Sequence, residues 1–503
     1  MINFFLKNKT FFFFGLFLIA GTIILFPYLD YQSFLSQGDH GRDLLAFEMT
    51  AQGAIPYQDY WWVYGPLMPY YYAFFIKIFG VSMTSVLLGK ILLLLASGGL
   101  FYFILSAFIS PVISLAGALW FLLFHEDFFF TYNHPGGITL TLATTLCISL
   151  YLKNQKSKYL LYAFPIVLAL SLIKLNFGLT ALAMIVFSTF LTNRYKTPPP
   201  PTNQKYFYFL FIGLLPVAII GIYMLFLNNL PIHVIRQCLP YLSSDHPNKT
   251  PVIQSLLKFS HSIFLNATGS WPNLLFATLI LVSLSITLTT AIRKKNINIL
   301  LGLLFFSTFY IFNLHEYLVS GVYYRTFWAQ PFSYLIMFLA LGSLSTTFPK
   351  HIKFIFSTLI LALALFFTIR MTSAITTLKT KLSPMKIRHS KIYLRNKPQW
   401  IETVNSTSSY LQLNLTNEET FFALPYDPLY YYLTDKKTPT RQTIFFEHIN
   451  IPPAQEIKII KDLEKNRINW ILISNRMNSQ DVGLGLLGVS YCPLIGKYID
   501  QNF

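Results

Sequence analysis

Residues 38 to 80 read GDHGRDLLAFEMTAQGAIPYQDYWWVYGPLMPYYYAFFIKIFG. The stretch lies between a first apolar run, Thr10 to Tyr28, and a long series of further apolar runs. It opens with Asp39, His40, Arg42 and Asp43, continues through Pro56, Tyr57 and Asp59 to Trp61 and Trp62, and closes with Gly65, Pro66 and an aromatic segment. Charges this close to a membrane span are costly unless they face water or a protein cavity, so the cluster is a functional-site candidate.

Composition sets the class. Hydrophobic residues make up 54% of the 503 and charged residues 12%, against about 25% charged in soluble domains. This is the composition of a polytopic membrane protein. The net charge of +18 does not point to nucleic acid, because Lys and Arg fall in short clusters between apolar runs, as in cytoplasmic loops. Cys147, Cys238 and Cys492 are far apart with no CxxC spacing, which implies neither a zinc site nor a disulfide framework.

The first run is long enough to span about 30 Å of hydrocarbon and reads as an uncleaved helix with its amino end inside. Further runs fall at about 86–109, 111–124, 137–152, 159–173, 177–192, 206–228, 272–292, 297–314, 327–346 and 354–370. With alternation, the inner connections hold Lys153, Lys156 and Lys158, then Arg194, Lys196 and Lys205, then Arg293, Lys294 and Lys295, then Lys350 and Lys353. The positive-inside rule is thereby satisfied. About eleven helices then place the 29–85 loop, the 125–136 loop, Lys174 and the carboxyl end on the outer side. The run Pro198 to Pro201 reads as a stiff link.

From about residue 371 the composition becomes soluble. Thr420 to Leu424 reads as a strand, Ala454 to Asn466 as an amphipathic helix with Ile457, Ile460 and Leu463 on one face, and Ile468 to Ser474 as a second strand. The chain thus divides into a membrane module, 1–370, and an extracytoplasmic α/β domain, 371–503.

Set in this order, the opening stretch resembles the bacterial members of the dolichyl-phosphate-mannose protein mannosyltransferase-like superfamily, also called PMT/ArnT-like. These are membrane glycosyltransferases of the GT-C fold. The residues that carry the likeness are Asp39, Gly53, Pro56, Tyr57, Asp59, Gly65, Pro66, Leu67, Tyr70 and Tyr71. It extends to Ser171-Leu172-Ile173-Lys174, to Tyr324-Arg325 before Pro331, and to Pro425-Tyr426-Asp427-Pro428-Leu429-Tyr430 in the tail. It implies an inverting enzyme of the bacterial inner membrane that moves a sugar from a polyprenyl-phosphate carrier to an outer acceptor hydroxyl on a protein, lipid or envelope glycan.

Such a reaction needs a carboxylate to take the acceptor proton and cations to hold the departing phosphate. Asp39 occupies the position of the family's first-loop acid and is the candidate base; it is also placed to pair with Arg42 at i+3. Where family members often carry a second acid, this chain has His40. Asp43 is the alternative base. Glu126 and Asp127 in the second outer loop are candidates to orient the acceptor or assist the base. Asp59, beside Trp61 and Trp62, is a candidate for a sugar hydroxyl, although an interfacial aromatic belt accounts for the tryptophans equally well.

For the phosphate, Lys174 reads as a lone cation near the outer face, or as a lysine that snorkels. Arg325 offers bidentate contacts that a lysine does not, and Arg42 offers the same. His134 with Asn133, and His315 with Glu316, are polar pairs without a metal motif such as HExxH. No obligatory metal or cofactor is expected, though a divalent ion at Asp39 is compatible with the residues. The segment Tyr70 to Phe79 suits an isoprenoid groove or a helix lying in the interface. Two other readings remain open: a polysaccharide polymerase or ligase with a pyrophosphate-linked donor, and a lipid or glycan transporter.

The arrangement is tested by reporter fusions. Those after Lys158 and Lys205 should report a cytoplasmic position and one after Phe503 an extracytoplasmic one; an outside Lys205 or an inside Phe503 overturns it.

Overall fold

A computed structural model describes residues 9–124, 131–195, 251–268, 271–293, 296–446, 449, 451–474 and 485–503. The run expected at 206–228, the Pro198 to Pro201 link, Cys238, Glu126 and Asp127 lie outside them.

The chain is mostly helical. Among the described residues, six helical stretches are long and apolar enough to cross a membrane: Lys9–Leu29, Met83–Ser106, Asn133–Asn154, Leu175–Thr192, Ile297–Ser320 and Lys350–Thr380. Shorter apolar helices lie at Pro111–Leu123, Lys158–Ser171, Ile280–Arg293 and Gln330–Ser345. Every apolar run read from the sequence, other than 206–228, thus coincides with a helix.

In chain order the first elements are α1 (Lys9–Leu25), β1 (Tyr31–Gln32), α2 (Asp39–Ala51), α3 (Leu67–Phe79) and α4 (Met83–Ser106). They are followed by α5 (Pro111–Phe124), α6 (Asn133–Asn154), α7 (Lys158–Ser171) and α8 (Leu175–Tyr195). Helix α4 packs on α3, α5 and α6. Close approach between apolar helices relies on small residues rather than on a hydrophobic drive: a Cβ on Gly98 would fall 2.6 Å from the Phe17 ring of α1.

Helix α6 is the most enclosed of the six spans, yet it is rich in threonine. Its hydroxyls are satisfied inside the helix: Thr139, Thr141 and Thr145 donate to the carbonyls of Pro135, Gly137 and Thr141, each at 2.8 Å. Thr139 also meets Ser97 of α4 at 2.8 Å. This is how a stripe of threonine hydroxyls is buried with its hydrogen bonds made.

The second half continues with α9 (Val252–Thr268), α10 (Trp271–Arg293), α11 (Ile297–Asn313), α12 (His315–Ser320), α13 (Gln330–Ser345) and α14 (Lys350–Thr380). At 31 residues, α14 is about 46 Å long, more than the hydrocarbon thickness of about 30 Å. It runs past residue 370 and leads into the tail.

The tail comprises the hairpin β2 (Pro384–Ile387) and β3 (Ser390–Leu394), α15 (Pro398–Asn414), β4 (Phe422–Leu424), α16 (Leu429–Thr434), α17 (Pro453–Lys465), β5 (Ile471–Ile473) and α18 (Pro493–Asn502). Strands β4 and β5 pair in parallel through α17, so the strand, helix, strand order read from the sequence is present. Glu456 of α17 accepts from the backbone of Leu494 and Ile495 at 2.9 and 3.0 Å. It thereby caps the first turn of α18.

The tail is joined to the membrane module rather than tethered to it. Strand β1, in the first loop, adds in parallel to β3, with Tyr31 opposite Tyr393 and Gln32 opposite Leu394. Asn396 copies a strand partner, its amide oxygen accepting from Leu35 N–H at 2.9 Å and its nitrogen donating to Leu35 O at 2.7 Å. Lys379 pairs with Asp30. The hydrophobic core runs without a break from the spans to Met385, Ile387, Ile392, Leu394, Val404 and Tyr431. A smaller core around Phe422, Ile459, Leu463 and Ile495 holds the rest of the tail.

Asn396→Ala leaves a buried N–H and a buried C=O of Leu35 without partners. Thermal unfolding of detergent-solubilised protein should show it destabilised by about 1–3 kcal/mol; an unchanged midpoint would show that this joint does not hold the tail.

Candidate active site

Helix α2 starts at Asp39, whose carboxylate therefore meets the positive end of the helix dipole. Ahead of it, the Ser36 hydroxyl accepts from the His40 backbone at 3.3 Å, and Ser36 N–H donates to His40 Nδ1 at 3.1 Å. His40 is fully buried, with its ring edge-on to Tyr132 at 5.5 Å. These contacts make it part of the turn that starts the helix.

One turn on, Arg42 is buried between two carboxylates. Its Nε and Nη2 donate to Asp43 Oδ1 at 3.0 and 2.8 Å. Its Nη1 donates to Asp39 Oδ1 at 3.0 Å and to the Tyr426 hydroxyl at 3.3 Å. The Tyr426 hydroxyl itself donates to Asp39 Oδ1. The rings of Trp62 and Tyr64 lie 5.6 and 5.0 Å from the guanidinium carbon, a cation–π arrangement. The expected i, i+3 pair is therefore present, and it is part of a larger assembly.

The two acids differ in access. The Asp39 side chain is 28% exposed and that of Asp43 is 0%. Asp43 also accepts from the backbone N–H of Tyr132, just ahead of α6, at 3.2 Å. Burial pushes the Asp43 carboxyl up to about 6, outweighing the attraction of Arg42.

A second charged group faces the first across Tyr64. Lys174 sits in the turn between α7 and α8, to which the first loop is tied by Gly65 N–H on Ile173 O at 2.9 Å and Leu67 N–H on Leu172 O at 3.0 Å. Its ammonium lies 5.6 Å from the Tyr64 ring, 5.3 Å from Phe177 and 5.6 Å from Trp328. It is not a lone cation: it pairs with buried Glu316 of α12. Asn176 donates to Glu316 Oε1 at 2.8 Å and meets His315 Nε2 at 2.9 Å. As Nε2 accepts there, Nδ1 carries the proton and donates to Phe312 O at 2.9 Å.

His134, in the first turn of α6, is edge-on to Trp328 at 4.7 Å. Arg325, half-buried in the 3-10 turn Tyr323–Trp328, acts electrostatically on His134, His315 and Glu316. Asp39, Asp43, Arg42, His134, Lys174 and Arg325 are thus brought together, with His40 behind them. Asp59 is not in this group: it is exposed, and its carboxylate closes a turn by accepting from Ile55 N–H at 2.7 Å, a local side-chain to backbone bond. Glu126 and Asp127 lie outside the described residues, and among those residues no three His, Cys, Asp or Glu groups gather as metal ligands.

Glu316, Tyr64 and Tyr426 are the members that reading for site residues passed over. The sequence pairs Glu316 with His315 and sets Tyr426 in the tail motif, but nothing local shows which side chain reaches the centre. Two buried groups beside Tyr132, the Thr131 hydroxyl and both amide atoms of Asn133, have no hydrogen-bond partner among the described residues.

The outward face of α3 exposes Tyr70, Phe74, Ile78 and Phe79, while Met68, Tyr72, Phe75 and Ile76 pack inward. That is an amphiphilic helix with a wide apolar outer surface.

No protein-family model matches the chain, and no curated protein is similar to it in sequence. Among solved structures it is similar to ArnT from Cupriavidus metallidurans. With the form bound to undecaprenyl phosphate the TM-score is 0.55 at 11% identity, over 92% of this chain and 89% of that one. With the apo form it is 0.54 at 12% identity, over 86% of each. Against AglB, an archaeal oligosaccharyltransferase from Archaeoglobus fulgidus, in complex with an inhibitory peptide and a dolichol-phosphate, the TM-score is 0.47 at 10% identity, over 94% of this chain and 70% of that one. The chain has the fold of the ArnT structures, in keeping with the GT-C type.

The raised Asp43 carboxyl has a consequence for stability. Between its ordinary value of 3.8 and about 6, the folded protein holds a proton that the unfolded chain has released. Its contribution therefore favours the fold at the acid end and is lost as pH rises through about 6. The thermal midpoint of wild type should fall relative to Asp43→Asn from about pH 4 to about pH 6; parallel pH profiles would contradict it.

Proposed function

We propose that this protein transfers a sugar from a polyprenyl-phosphate carrier to an extracytoplasmic acceptor hydroxyl, with inversion, and that Asp39 is the general base. The observation that carries the reading is the Asp39 carboxylate itself. It is partly exposed, and it is held by Arg42 in a charged site that also contains Lys174 and Arg325. The shared fold with ArnT, captured with undecaprenyl phosphate, supports a carrier of this class.

In the reaction the acceptor O–H gives its proton to Asp39 as its oxygen bonds to the anomeric carbon. The bond from that carbon to the phosphate oxygen breaks, and its electron pair leaves with the phosphate. Lys174 and Arg325 receive the negative charge that develops there. A phosphate entering the site competes with Glu316 for Lys174, so Glu316 occupies that cation between turnovers. Arg42 keeps Asp39 ionised and oriented. Asn133 and Thr131, buried with unused hydrogen-bonding capacity, offer partners for sugar hydroxyls. The apolar face of α3 offers a surface to the isoprenoid chain.

Transfer from a panel of radiolabelled polyprenyl-phosphate monosaccharides by purified wild type and Asp39→Asn tests this. The substitution keeps the shape and removes the base. Transfer should fall by about two to four orders of magnitude while the protein stays folded. A variant that transfers like wild type moves the base elsewhere, and consumption of no donor, even with crude envelope acceptors, rejects the reaction.

A further inference from the structure

Tyr426 belongs to the tail, between β4 and α16, yet its hydroxyl lies among the charges of α2. It donates to Asp39 Oδ1 and receives Arg42 Nη1 at 3.3 Å. The ring is closely packed. A Cβ on Gly38 would fall 2.4 Å from it, Trp61 and Ile444 share its apolar cluster, and Phe446 lies 5.6 Å away, ring to ring. The backbone that follows is seated just as firmly on α2. Leu429 N–H donates to Gln37 O at 3.1 Å, and a Cβ on Gly41 would fall 2.3 Å from Leu429 N.

A hydroxyl delivered this rigidly does more than fill space. Burial pushes the Tyr426 phenol well above its usual range, so it stays protonated and acts as a donor. Two donors on one carboxylate oxygen fix the rotation of the carboxyl group and favour its anion.

We propose that Tyr426 is the positioning residue for the base, so that the tail completes the reaction centre by orienting the Asp39 carboxylate toward the acceptor. This rests on the sugar-transfer reading. Tyr426 keeps its own proton throughout: the acceptor proton goes to Asp39, and the breaking sugar–phosphate bond leaves its electrons on phosphate. Among the described residues, the charged and titratable groups that act on Asp39 include Arg42 and Asp43 from its own helix, Tyr64 from the first loop, His134 from α6 and Tyr426 from the tail.

The test uses full-length purified protein and a radiolabelled polyprenyl-phosphate monosaccharide, with kcat, donor KM and the pH profile measured for wild type and Tyr426→Phe. Phenylalanine keeps the ring in its socket and removes the donor. The expected result is a kcat lower by about ten- to a hundredfold, a donor KM within about twofold of wild type, and an acid limb moved upward by about one pH unit. A purely structural role would leave that limb in place. If Tyr426→Phe does not accumulate, 3,5-difluorotyrosine at position 426 retains the hydroxyl and strengthens it as a donor, and the limb should move downward. A wild type that transfers sugar, beside a variant whose limb is unchanged, overturns the inference alone. A wild type that transfers none overturns the sugar-transfer reading and the inference with it.

Discussion

A buried guanidinium is tolerated only where its donors and its charge are met by partners, and Arg42 is where this structure meets that demand. Asp43 takes two of its donors, Asp39 and Tyr426 share another nitrogen, and the rings of Trp62 and Tyr64 cover it. Each partner is engaged a second time. Asp43 holds the backbone ahead of α6, and Asp39 holds the tail through Tyr426. One cation therefore sets the relative positions of the first loop, a central span and the carboxyl-terminal segment. Lysine would not replace it, because a point charge cannot supply the fork of donors that these contacts use.

The lysine side of the site is built differently. Among the described residues Lys174 has a single carboxylate partner, Glu316, and a box of aromatic faces. Beyond that one ion pair its cation–π contacts are worth about 0.5–2 kcal/mol each, whereas Arg42 is held by two carboxylates. Such a cation is easier to hand to an incoming anion than Arg42 is. The described charges of the centre also balance: Arg42, Lys174 and Arg325 against Asp39, Asp43 and Glu316. A phosphate bound there adds charge that only a rearrangement of Glu316 or a gain of protons offsets. This makes the Lys174 pair the natural place for donor exchange in the proposed cycle.

Legibility followed the range of the signal. Apolar length is local, so 111–124 and 137–152 on the sequence correspond to Pro111–Phe124 and Asn133–Asn154. Amphipathic period is local too, and α17 begins at Pro453, one residue from the expected Ala454. The run at 327–346 starts later, at Gln330, because Pro331 favours the first turn of a helix and a 3-10 turn precedes it. Helix α14 continues to Thr380, past the expected end at 370; the Thr- and Lys-bearing turns beyond 370 carry no apolar signal. The pairing of β1 with β3 has no local mark at all, and two residues are too few to show a period. Lys174 looked alone because Glu316 is remote in the chain and α12 is only six residues long. The Asp39 cluster was readable from density of charge beside a span, whereas Tyr426 became a member only through the fold.

The clasp between Leu35 and Asn396 joins positions 361 residues apart. Contacts of such separation form late, after the intervening chain has been made and threaded. During synthesis the first spans are therefore in place long before Arg42 and Asp39 acquire Tyr426, and the charged turn of α2 has to wait in water rather than in hydrocarbon. A chain halted before residue 384 would still hold its membrane helices, yet its centre would be without a wall. The last quarter of the polypeptide thus acts as a completeness check on the first tenth.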